Sequence, residues 1–238
     1  MPLARLDGVS FSYEGEPPVL RDVDLVIEPG ELIAVAGPNG GGKTTLVRLI
    51  VGLERPTAGR IELFGEAPRV GRGDRRIGYL PQRAESALSA PITVRELVEV
   101  GRAPLRGVLR PLDDEDRDAV FKAIERVGLG DLGGRPLANL SGGQRQRAFI
   151  AKALAAEPEL LILDEPSAGV DPDAQDALAA LVGGLSADLG VTVIYVSHEF
   201  GAIEPFVKRL LIVRGEIAFD GAPQALSAGW HDPSHVHP

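Results

Sequence analysis

Gly37-Pro38-Asn39-Gly40-Gly41-Gly42-Lys43-Thr44 follows the apolar run Leu32-Ile33-Ala34-Val35-Ala36 and opens a segment with helical periodicity. Loops that cradle phosphate are built this way. Glycines let backbone N–H groups close around the anion, a lysine brings charge to the terminal phosphates, and a threonine hydroxyl can hold Mg²⁺. The spacing predicts a helix over residues 45–53, with Leu46, Leu49, Ile50 and Leu53 at i, i+3, i+4 and i+7 forming one face that packs on a sheet. The N-terminus of that helix faces the anion, where the helix dipole favours negative charge. Gly37, Asn39, Gly40, Gly42, Lys43, Thr44 and Thr45 are the candidate nucleotide-binding positions of this stretch, with Thr44 also a metal ligand.

Composition narrows the remaining possibilities. A chain of 238 residues, 44% hydrophobic and 25% charged, suits one α/β domain with a substantial core. No apolar run approaches the roughly 18 residues that span a bilayer, and the beginning lacks a signal-peptide pattern, so the chain is expected to stay in the cytosol. The absence of cysteine excludes disulfides, thiol catalysis and cysteine-ligated metal sites. A net charge of −9 argues against a nucleic-acid partner, which calls for a basic surface.

Short mixed segments at residues 3–9, 23–27 and 61–64 predict strands of a mostly antiparallel layer. From 92 to 156 the pattern is helical. Thr93-Val94-Arg95-Glu96 has capping-box spacing, and Asp113, Asp114, Glu115 and Asp116 suit a second helix N-terminus. The apolar runs 160–163, 191–196 and 210–213 are too short for helices and predict parallel strands covered on both faces.

Two of these runs end in chemistry. Leu160-Leu161-Ile162-Leu163 leads into Asp164 and Glu165, at the carboxyl edge where open parallel sheets bind ligands. Adjacent strand residues point to opposite faces, so Asp164 is expected to face Mg²⁺ while Glu165 projects toward the attacking water as general base. The run 191–196 ends in Ser197-His198, making His198 a candidate sensor of the terminal phosphate. A second anion surface follows from Leu140-Ser141-Gly142-Gly143-Gln144, where Ser141 can cap a helix running to about residue 156. One phosphate loop already serves one nucleotide. The second surface therefore points to a partner chain.

Taken in this order, these stretches make the sequence similar to the nucleotide-binding subunit of ABC transporters over nearly its whole length. The resemblance implies an α/β P-loop NTPase cassette: a RecA-like core with an N-terminal antiparallel β layer (about 1–83 and 158–222), an inserted helical subdomain (about 84–157) and a tail (about 223–238). It implies ATP and Mg²⁺, with Tyr13 stacking on adenine. Gln82, in Tyr79-Leu80-Pro81-Gln82, joins the core to the helical subdomain and touches Mg²⁺ or the water. Ser141, Gly143 and Gln144 belong to the motif that meets the nucleotide on the opposite subunit, and Asp171, in Ser167-Ala168-Gly169-Val170-Asp171, links the two sites. Asp171-Pro172 also reads as a helix cap and first helical residue.

The partners so implied are a second cassette, an integral membrane permease meeting residues 82–101 and, indirectly, a periplasmic or extracellular substrate-binding protein, with the cassette peripheral at the cytoplasmic face. The stretches 77–83, 91–94, Gly101-Arg102 and 168–171 resemble the zinc and manganese importer branch, although Glu85 is displaced and Ala90 stands where that branch carries an aromatic. Residues 93–98 with 101–104 also resemble iron–siderophore and cobalamin importers, and a soluble ABC ATPase of a cytosolic assembly system would share the ATP residues. His231, His235 and His237, close to Asp232, form a metal-compatible group in a segment composed like a solvated tail.

Overall fold

The fold is that of a computed structural model, which describes residues 1–68, 74–82, 92–106, 111–198 and 201–226. Two sheets organise it. The smaller has the order β2-β1-β4, with β1 (Ala4–Phe11) antiparallel to both β2 (Leu20–Ile27) and β4 (Ala58–Leu63). Ala4 and Leu6 point inward, and so do Val9 and Phe11. That change of parity is absorbed around Gly8, a left-handed residue at φ 57°, where the pairing with β2 shifts register between Leu6 and Val9 and that with β4 between Asp7 and Ser10.

The larger sheet has the order β5-β6-β7-β3-β8-β9. Here β5 (Ile77–Leu80), β6 (Leu160–Asp164), β7 (Thr192–Val196), β3 (Leu32–Ala36) and β8 (Arg209–Val213) run parallel, and β9 (Ile217–Gly221) is antiparallel to β8. Every residue of β6 and β7 is buried, as expected of strands covered on both faces. Alternation divides their side chains between two cores. Ile33, Val35, Leu160, Ile162, Ile194 and Val196 join the small sheet and α1 (Lys43–Ile50). Ala34, Leu161, Leu163, Val193 and Tyr195 join α2 (Val94–Val100), α4 (Asp114–Arg126), α5 (Gly142–Leu154) and α6 (Pro172–Leu189). A short α3 (Ala103–Arg106) follows α2.

The expected caps form. Thr93 and Asp113 each close a capping box, with Glu96 and Asp116 as partners. The helix after the phosphate loop differs from expectation at both ends. It starts at Lys43, because Gly42 serves as its cap, and it ends at Ile50, because Gly52 turns left-handed at φ 73°. Leu46, Leu49 and Ile50 are buried, but Leu53 lies beyond the helix and is 50% exposed. Among the described residues no helix is long and apolar enough to cross a membrane.

Candidate active site

The phosphate loop is fixed by its neighbours on the sheet. Gly37, at φ 141°, lies against the Val213 carbonyl of β8, and any Cβ there would overlap that oxygen. On the other side, Gly215 donates to the Gly41 carbonyl at 2.8 Å. Asn39 and Gly40 form the exposed tip, whereas Gly42, Lys43 and Thr45 are buried. Lys43 reaches back over its own loop and donates through Nζ to Gly37 O at 2.8 Å and to Pro38 O at 3.1 Å. Burial pushes its pKa down, against the opposing pull of the Glu165 and Asp164 charges.

Asp164 ends β6 beside Val196 of β7 and is 1% exposed. Its Oδ1 accepts from Thr44 Oγ1 at 3.2 Å, while its Oδ2 is buried without a hydrogen-bond partner among the described residues. Burial raises the carboxyl's pKa; the Thr44 bond opposes this, and the Glu165 charge adds to it. Tyr79, near the end of the neighbouring β5, has its hydroxyl pushed up to about 12 by burial and by the Asp164 charge.

Glu165 does diverge from Asp164, though not by strand pleating. It sits just past β6 at φ 52°, a left-handed conformation that is costly for a non-glycine residue and is pinned by its N–H bond to Val196 O at 2.9 Å. Gln82 Nε2 donates to Glu165 Oε2 at 2.7 Å. His198 Nδ1 lies 3.7 Å from Glu165 Oε1. The structure thus brings Lys43, Thr44, Gln82, Asp164, Glu165 and His198 to one edge of the large sheet.

Tyr13 follows β1 and packs partly buried on the smaller core, its ring meeting that of Phe11 edge to face at 4.9 Å and 88°. Arg48 lies one turn beyond Thr44 on α1. Burial pulls its pKa down, but hydrogen bonding and charge interactions with Tyr13 and Tyr79 outweigh that and leave it raised. Arg48 and Tyr79 belong to this site although neither stands among its expected residues. The i+4 spacing of Thr44 and Arg48 was the available signal.

Ser141 and Gln144 bond to each other. Gln144 N–H donates to Ser141 Oγ at 3.2 Å and Ser141 N–H to Gln144 Oε1 at 3.0 Å, completing a capping box on α5. Among the described residues, no hydrogen bond joins either of them to Lys43, Asp164 or Glu165. Gly143 faces the start of α6, where a Cβ would come within 3.2 Å of Ala174 Cβ. Asp171 caps that helix, accepting from Ala174 N–H at 3.0 Å, with Pro172 as its first residue. Glu85, Ala90, Pro91, His231, Asp232, His235 and His237 lie outside the described residues.

The chain is similar to proteins of known role. It is 36% identical to the zinc uptake system ATP-binding protein ZurA of Listeria innocua, over 92% of this chain and 86% of that one. To the zinc import ATP-binding protein ZnuC of Paracoccus denitrificans it is 38% identical, over 95% and 82%. The manganese transport system ATP-binding protein MntA of Synechocystis is 34% identical over 91% and 83%. Among solved structures, cbiO1 of Clostridium perfringens, part of the ABC transporter complex cbiONQ, superposes with a TM-score of 0.84 at 28% identity, over 94% of this chain and 89% of that one. The ATP-binding cassette MJ0796, a dimer in a post-hydrolysis state with ADP and Pi, gives a TM-score of 0.76 at 26% identity over 94% and 100%. The family model described as ABC transporter matches residues 20–168, more than half of the chain, and the chain belongs to the ABC transporter family.

Proposed function

We propose that this chain is the ATP-hydrolysing subunit of an importer for zinc or manganese, working as a head-to-tail homodimer on a separate membrane permease at the cytoplasmic face. The observation that carries the ATPase reading is the convergence on the phosphate loop of Thr44 with Asp164 and of Glu165 with Gln82 and His198. The cargo reading rests on the zinc and manganese systems named among the relatives. In this reading an extracytoplasmic binding protein supplies the metal, and the permease meets the region from Gln82 to Gly101.

The donor set fits Mg²⁺. Thr44 Oγ1 and both Asp164 oxygens are hard oxygen donors, Oδ2 is buried with no hydrogen-bond partner among the described residues, and Gln82 lies two residues beyond β5. Thr44 and Asp164, with Gln82, would hold the ion, which would supply charge neutralisation for the phosphates. The rest falls to the chain. Gly37, Asn39, Gly40 and Gly42 shape the loop, Thr45 anchors its helix, and Lys43 exchanges its carbonyl partners for phosphate. Tyr13 offers its ring to adenine. Glu165 takes the proton of the attacking water, with Gln82 and His198 holding its two oxygens in place. Ser141, Gly143 and Gln144 complete the site of the second copy, and Asp171 lies beside that junction.

Purified Glu165→Gln protein is expected to bind Mg-ATP, to hydrolyse it at least about a hundredfold more slowly than wild type, and to shift in light scattering from one chain of 25.1 kDa to two. Hydrolysis at the wild-type rate would remove Glu165 from its role. A single-chain mass at saturating Mg-ATP would remove the dimer.

A further inference from the structure

Arg102 is charged and enclosed, and the ATP chemistry described above makes no use of it. It lies in the turn between α2 and α3 and is 5% exposed. Its Nε donates to Asp116 Oδ1 at 2.8 Å, and its Nη1 donates to Ala155 O at 2.8 Å and to Glu157 Oε2 at 3.0 Å. Asp116, on the first turn of α4, is 0% exposed and is held a second time by the Asp113 N–H at 3.2 Å. Ala155 is the C-cap of α5, so the carbonyl that Arg102 takes up is one of the acceptors a helix end leaves open. Gly101 presses on the same helix end, where a Cβ would overlap the Lys152 carbonyl. Glu157 reaches Arg102 from a left-handed backbone at φ 52°.

Stability alone does not call for this arrangement, since apolar side chains of similar volume serve a buried site as well or better. The guanidinium adds direction. Its planar fork sends fixed donors to the start of one helix and the end of another, which a point charge cannot do. Helix α5 has 13 residues, and at 1.5 Å per residue it is about 20 Å long. Its far end carries Ser141, Gly143 and Gln144. A packed helix transmits displacement along its axis, because dense interiors yield little.

We infer that Arg102 is a positioning residue: it keys the α2–α3 turn to the rear of α5 and thereby sets where Ser141 and Gly143 are aimed. This rests on the proposed trans role of those residues. In that reading the turn adjoins the permease-facing region, and Arg102 is the point at which the permease's movement enters α5.

The test is an ATP titration of dimer formation in the Glu165→Gln background, read by light scattering, with and without Arg102→Lys. Nucleotide affinity of the single chain and the melting temperature are measured alongside. Lysine keeps the charge but cannot span the three acceptors. The expected result is a rise of at least about fivefold in the ATP concentration for half-dimerisation, the lower range of coupling between sites, with single-chain affinity unchanged and a melting temperature lowered only as far as the buried acceptors left without a donor require. Should Arg102→Lys fail to fold, the neutral pair Arg102→Met with Asp116→Asn takes its place, and the same shift is expected. An unchanged titration, or a loss of single-chain affinity as large as the shift in dimerisation, overturns the inference. Ser141→Arg is the reference: if it dimerises like its parent, the trans reading itself fails and takes the Arg102 inference with it. A normal titration for Arg102→Lys beside a defective Ser141→Arg overturns the inference alone.

Discussion

Asp164 shows at the scale of one residue how the site sets stability against function. Its carboxyl titrates above the ordinary 3.8 because burial disfavours the charge more than the Thr44 bond favours it. As pH rises from 3.8, the unfolded chain gives up this proton first and the folded chain holds it longer. Stability contributed by this group therefore falls through that window, and the deficit persists at neutral pH. Asp164→Asn removes the buried charge and keeps an acceptor for Thr44. The substitution is expected to raise the melting temperature of the nucleotide-free protein by about 2–4 °C, the response of a chain this size to a change near 1 kcal/mol, while hydrolysis is lost. Calorimetry with an ATPase assay checks both, and a lowered melting temperature would contradict the account. Residue types announced this carboxylate and Glu165, because a strand running into two acids beside a phosphate loop is visible in one dimension. The left-handed backbone of Glu165 was not visible, since it depends on the bond to Val196, 31 positions along the chain.

At the scale of elements, helix starts were the most legible features because their chemistry is local. Thr93, Asp113, Ser141 and Asp171 each accept from a backbone N–H three residues on, within reach of a short window of sequence. For Asp171 this separates two roles. Asp171→Ala is expected to destabilise the chain by about 1 kcal/mol in urea titration and Asp171→Asn by little, since asparagine caps equally well. Equal losses from the two would show that its charge, and not its cap, holds α6. Less local features escaped. The helix after the phosphate loop stops early at Gly52, β9 was not foreseen, and the change of parity in β1 depends on register shifts against two other strands. The Arg102 cluster draws on partners 14, 53 and 55 positions away, with no local pattern to mark it.

For the whole molecule, sheet order explains why motifs scattered from Lys43 to His198 meet. Strands β6, β7 and β3 are parallel neighbours, so the segments leaving their carboxyl ends converge on one edge, and β5 brings Gln82 to the same place. Among the described residues no hydrogen bond ties Ser141 or Gln144 to them, and the function proposed for these two needs a second copy. Cargo is a property of the assembled importer. It is read most directly in the native cell, with total zinc, manganese and iron measured under metal limitation in wild type and in a Glu165→Gln strain. The account predicts a selective fall in zinc or manganese with iron unchanged. A fall in iron alone would contradict it in favour of a chelate importer, and three unchanged metals would leave an ATPase whose cargo is not a metal.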